Sequence, residues 1–102
     1  MTEPVYTPDA QLELFEASEH YEEQQEGLGF AFLSAVDATV QRLARHPEIG
    51  HAVLGTLRRL LVRRFPYGVF YRVLEDDSVE VVAVFHQRRS LTHLRSRVPE
   101  SE

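Results

Sequence analysis

The chain of 102 residues contains no cysteine and no lysine. Without thiols there are no disulfide staples and no thiolate metal ligands, so nothing in the composition points to an oxidising compartment. All 11 basic side chains are arginines, whose planar fork grips carboxylate or phosphate through paired hydrogen bonds. No apolar run approaches the roughly 20 residues of a membrane-spanning helix. The opening MTEPVYTPDAQ is acidic where a secretory signal would be basic and then apolar. These absences predict a cytoplasmic protein without membrane attachment. Also missing are a glycine-rich phosphate loop, a serine nucleophile elbow and an HExxH helix. Among His20, His46, His51, His86 and His93, no two stand four apart, the spacing that sets two ligands on one helix face. No metal and no cofactor are expected.

What remains is a chain of single-domain size, 43% hydrophobic, with residues 1–102 read as one unit. Its net charge of -5 is unevenly spread. Residues 1–50 carry ten acids against Arg42 and Arg45, whereas residues 51–102 carry nine arginines against six acids. The acidic total argues against general nucleic-acid binding. The basic half could face nucleic acid locally or an acidic protein partner.

Periodicity predicts an α+β fold: a helix hairpin packed on a small, mainly antiparallel sheet, in the order β-α-α-β-β-β. Glu3–Tyr6 reads as a short strand, and Thr7-Pro8 as an N-cap followed by proline at the first helical position. Ala10, Leu14, Ala17 and Tyr21 form one apolar stripe, with Glu13, Glu16, Glu19, Glu22 and Glu23 as the solvated remainder. Gln24–Gly29 breaks the helix. Leu33, Val36, Val40 and Leu43 line the next one, with Phe32 beside them, until His46-Pro47 ends it. Beyond Gly50 the pattern becomes β-like.

The segment from Arg58 to Arg89 is the most informative. Leu57–Phe65 mixes apolar residues and arginines without clean alternation. Gly68–Leu74 and Val79–Phe85 flank the acidic turn Glu75-Asp76-Asp77-Ser78, a hairpin signature. On the last strand, alternation puts Val79, Val81, Ala83 and Phe85 on one face and Glu80, Val82, Val84 and His86 on the other. Both faces are apolar enough to need cover. The helices supply one cover. Only Leu91–Val98 is left for the second, so a partner is expected to contribute. Arg58, Arg59, Arg63, Arg64, Arg72, Arg88 and Arg89 edge the hairpin and are candidates for binding an anionic target or partner. His86 ends the last strand, and its ordinary pKa near 6.5 suits a general base or acid. A structural histidine that ends the strand and bonds backbone is the simpler reading of it.

The wording RFPYxxxYR followed by VAVxHxRR, with Gly27-Leu28-Gly29 before Phe32-Leu33 and His46-Pro47-x-x-Gly50, resembles the RelE/ParE superfamily of bacterial type II toxins. That resemblance spans nearly the whole chain. It implies a small toxin held inactive, as a hetero-oligomer, by a cognate antitoxin. One branch cleaves mRNA on the ribosome; the other poisons DNA gyrase. Aligned on the nuclease branch, Gly68 and Gln87 fall where arginines are expected, His93 falls near a tyrosine position, and Arg59 is retained. The resemblance therefore leans to the gyrase-directed, ParE-like branch. If the chain is a nuclease, His86, Arg59, Arg64 and Arg89 are the candidates. A non-toxic antitoxin-binding module is a third reading.

Overall fold

Thr7 is extended in backbone and its hydroxyl accepts from the Ala10 amide, while Pro8 sits in the first helical turn, where no amide partner is lost. In the computed structural model, which describes residues 3–97, this cap joins β1 (Val5–Tyr6) to α1 (Pro8–Gln24). The chain reverses through Gly27, in the left-handed region at φ 87°, into α2 (Leu28–Arg45). No side chain at Gly27 can cap α2. Instead, the Glu22 carboxylate reaches across from α1 and accepts from the amides of Gly27 and Gly29 at 3.0 and 2.9 Å. A Cβ on Gly29 would lie 2.5 Å from the Ser18 carbonyl oxygen, so glycine sets how closely the two helices approach.

The helix stripes hold with one exchange. Ala10, Ala17, Phe32, Val36, Val40 and Leu43 are buried, with Leu14 and Tyr21 packed against them. Phe32 is central and Leu33 is 38% exposed, the reverse of the expected roles. After the helices come β2 (His51–Leu54), β3 (Leu57–Leu61), β4 (Tyr67–Val73), β5 (Val79–His86) and a 3-10 helix over Leu91–Arg97. Among the described residues they form one sheet in the order β1-β5-β4-β3-β2, antiparallel except for β1 against β5. The expected order lacked β2. That strand is four residues long with two exposed at its start, and such an edge carries no alternating signal. The strand expected over Leu57–Phe65 ends at Leu61, where the chain turns back so that the Val62 amide bonds the Tyr67 carbonyl.

A bulge rewrites the faces of β5. Tyr71 pairs with Val81 and Phe70 with Ala83, which leaves Val82 as the extra residue. Val79, Val81 and Val84 consequently join the helix-side core, while Val82, Ala83 and Phe85 pack on the far face. Strict alternation had put Val84 opposite Val81, and the one-residue insertion inverts every position beyond it. The far face is closed by the chain itself. Leu57, Phe70, Val82, Ala83, Phe85 and Leu94 are buried together, with Leu91, Val53 and Leu54 against them. No partner is needed as a second cover, which corrects that expectation; Val98 lies outside the described residues.

Since β1 pairs only with Glu80 and Val81, β5 would show an open edge beyond that point, a place where other strands add. Side chains close it. The Val84 amide donates to Glu13 Oε1 at 3.0 Å, and Arg97 Nη1 donates to the Val82 carbonyl at 3.0 Å. Arg97 also holds both Glu13 oxygens, at 3.1 and 3.0 Å. Glu13 therefore does not belong to the solvated face of α1, whereas Glu22 stays exposed while it caps α2.

At the other end of the helices, Tyr71 is fully buried. Its hydroxyl donates to the Pro47 carbonyl at 2.7 Å and accepts from the Gly50 amide at 2.9 Å, tying down the turn after α2. Burial raises all four tyrosines above their ordinary 10.0, and Tyr6, further raised by the Asp37 carboxylate, reaches about 12. A group whose pKa is raised by folding contributes stability below its unfolded value, which is lost as pH climbs through the folded one. Stability is expected to hold up to about pH 10, the unfolded tyrosine value, and then to fall steadily toward pH 12. Denaturant unfolding at stepped alkaline pH, beside phenolate absorbance, checks this; flat stability across that window would contradict it.

Candidate functional site

The seven candidate arginines do not form one cluster. Arg58 donates to the carbonyls of Gly50 and Glu48 at 2.8 and 3.3 Å and so reinforces the Tyr71 turn. Arg72 pairs with Glu80 across the β4–β5 ladder at 2.7 Å. Both have work in the fold. Arg59 lies on the far face, opposite Phe70. A Cβ on Gly68 would come within 3.1 Å of the Arg59 side chain and 3.2 Å of the Phe70 ring. Arg59 therefore overlies Gly68 and occupies the space that a larger residue there would need.

Beyond β5 the chain turns tightly, and the Arg88 amide donates to His86 Nδ1 at 3.1 Å. That bond assigns the remaining ring proton to Nε2. The His86 ring stands edge-on to Tyr67 at 5.7 Å. Arg88 is exposed. Arg89 lies over the Phe85 ring at 5.0 Å, with Glu13 Oε2 at 3.6 Å and His93 Nδ1 at 3.5 Å. His86 and Arg89 line a shallow cleft of about 260 Å³ with Glu13, Glu16, His20 and Tyr67.

Arg63 and Arg64 are elsewhere. They occupy the exposed β3–β4 loop and, with Arg42, rim a groove of about 800 Å³ floored by Ala31, Ala35 and Phe65. An aromatic cluster of Tyr21, Phe32, Phe65 and Tyr67, with centroids 5.0–5.9 Å apart, fixes this loop to the helix hairpin. Within the nuclease set only Arg64 stands apart, at the α2 groove; Arg59, against Gly68 and Phe70, and Arg89, over Phe85, flank one ring pair whose centroids are 4.5 Å apart, with His86 at the end of β5.

Sequence reasoning missed Arg42, placed on a helix with no visible role, and Phe30, which is 74% exposed beside the groove. A phenylalanine outside the α2 stripe was the available signal. It also missed Glu13 and Arg97, whose 84-residue separation left no local pattern. The Glu13 hydrogen bonds raise the pKa of Arg97. On the β4–β5 turn, bonds from Ser78 lower that of Asp76. Among the described residues no His, Asp or Glu cluster is arranged to hold a metal ion, and no helix is long and apolar enough to cross a membrane.

Arg64 is in the left-handed region at φ 73°, where a side chain costs roughly 1–2 kcal/mol relative to the ordinary helical region. An arginine held there at a groove rim suits contact better than stability. Arg64→Gly is expected to leave stability within about 1 kcal/mol of wild type, or to raise it. Thermal or denaturant melts check this, and a large loss would make Arg64 a structural residue.

The family model for the ParE toxin of type II toxin–antitoxin systems, parDE, matches residues 5–91. Among curated proteins no sequence matches significantly. Solved structures share the fold at low identity. A chain of the chromosomal ParDE system from P. aeruginosa aligns with TM-score 0.60 and 17% identity, covering 84% of this chain and 96% of that one. A chain of the intact E. coli RelBE toxin–antitoxin complex gives 0.58 and 16%, over 84% and 96%. The isolated E. coli RelE toxin gives 0.57 and 15%, over 92% and 93%.

Proposed function

The chain belongs to the ParE toxin family of type II toxin–antitoxin systems, and from that premise we propose that it acts in the cytoplasm on DNA gyrase and is neutralised by a cognate antitoxin. The observation that carries the choice of target is the lack of arginine at Gly68 and Gln87, where the nuclease branch is expected to present it. Cleaving RNA without a metal requires a base at the 2′-hydroxyl, cations on the charged phosphorane and an acid at the leaving oxygen, all converging on one phosphate. Here Gly68 is overlain by the Arg59 side chain. Arg89 lies over Phe85 and near Glu13, and Arg64 rims a separate groove. Losing one preorganised charge costs about 3 kcal/mol of transition-state stabilisation, so a set without those two arginines, and with Arg64 apart, supports target binding rather than cleavage.

The antitoxin partner follows from the same family reading, which the neighbouring toxin–antitoxin structures support. The exposed Arg63, Arg64 and Arg88 suit an antitoxin segment that mixes apolar and acidic residues. Induced expression with two readouts tests the target. Primer extension on translated mRNA is expected to show intact transcripts, while purified chain inhibits gyrase supercoiling. Codon-specific cuts that vanish in His86→Ala would overturn the gyrase reading and make the ribosome and its mRNA the target.

A further inference from the structure

The outer face of the helix hairpin is unusually apolar for a solvent-facing layer. Phe15 on α1 is 57% exposed, and Leu33 and Phe30 on α2 are 38% and 74% exposed. Phe15 and Leu33 share a hollow of about 280 Å³ with Tyr6 and Leu14. The groove of about 800 Å³ opens beyond Phe30, on the far side of α2. An apolar strip thus runs across the hairpin from α1 to the groove. Such a strip on a small chain marks an interaction surface.

Charge is sorted along the strip. On the α1 side, Glu19, Glu23 and Asp37 are exposed, and helical spacing places the first two on the same outward face as Phe15. On the groove side stand Arg42, Arg63 and Arg64. A patch with acids at one end, bases at the other and aromatics between is self-complementary under a two-fold rotation. Turning a second copy by half a turn sets its acids over the first copy's arginines, and the reverse, while the aromatic middles meet. We propose that two copies of this chain pair isologously through the outer face of the helix hairpin, with the exposed aromatics Phe15 and Phe30 of each meeting those of the other. The pairing is independent of which cellular target the chain attacks.

Sedimentation equilibrium of the purified chain, over micromolar to submillimolar concentration, reads the state directly. A monomer–dimer equilibrium is expected that weakens as salt rises and the Debye length shrinks. Phe30→Asp is expected to weaken it by roughly thirtyfold or more, as loss of a central aromatic anchor does. Phe30 is exposed, so unchanged circular dichroism and melting confirm that folding is intact. A charge exchange isolates the geometry. Glu19→Arg/Glu23→Arg and Arg63→Glu/Arg64→Glu should each be monomeric alone, because both ends of the patch then carry one sign. Mixed together they should form a heterodimer. A chain that stays monomeric throughout would overturn the proposal, whether or not an antitoxin peptide occupies the groove. So would a dimer indifferent to Phe30→Asp, or a mixture that fails to pair.

Discussion

The Glu13 carboxylate closes the stretch of β5 that the short β1 leaves unpaired. It takes the Val84 amide and both ends of the Arg97 fork, so a residue of the first helix, a strand and the chain's last described turn meet at one group. Side-chain exposure of 13% for Glu13 and 17% for Arg97 keeps the pair largely out of water, where charge-assisted bonds are worth more than at the surface. Without it, three things would fail together. The Val84 amide would lose its partner, the Val82 carbonyl would keep only the long Thr7 hydroxyl contact at 3.4 Å, and the 3-10 helix would lose its tether to α1. Since Leu94 on that helix is fully buried against the far face, the second core depends on the same pair.

The bulge at Val82 gives this arrangement its shape. Inserting one residue lets β5 present Val81 and Val84 to the helices and Val82 and Phe85 to the far side. The strand thereby serves two small cores in a chain too short for one large core. The price is a locally disrupted ladder, which Thr7 and Arg97 offset at the Val82 carbonyl. The tyrosines contribute similarly at the opposite end, where Tyr71 takes over the backbone polar groups of Pro47 and Gly50.

What the sequence made legible follows from how local each signal is. Thr7-Pro8, the helix stripes, His46-Pro47 and the acidic turn are written in neighbouring residues, and each stands where it was read apart from the exchange of Phe32 and Leu33. The β2 strand was not, because a short exposed edge has no period. The faces of β5 were misassigned beyond Val82, since a bulge leaves no trace in an alternating apolar run. Glu13 read as surface charge because its partners, Val84 and Arg97, lie across the fold. The candidate arginines were found by type, but their roles separate only in three dimensions: Arg58 and Arg72 are committed to the fold, while Arg63 and Arg64 are presented at a groove.

Hydrogen exchange at the Val84 amide tests the central role of the Glu13 cap most directly. An edge amide facing solvent exchanges quickly, whereas one held by a carboxylate tied to α1 and the 3-10 helix should open only with the core. The account predicts that Val84 is protected as strongly as the amides bonded between β4 and β5, and that Glu13→Ala lowers its protection by about tenfold or more, the loss of one charge-assisted bond. Rapid exchange of Val84 in the wild-type chain, matching its exposed loop amides, would contradict it.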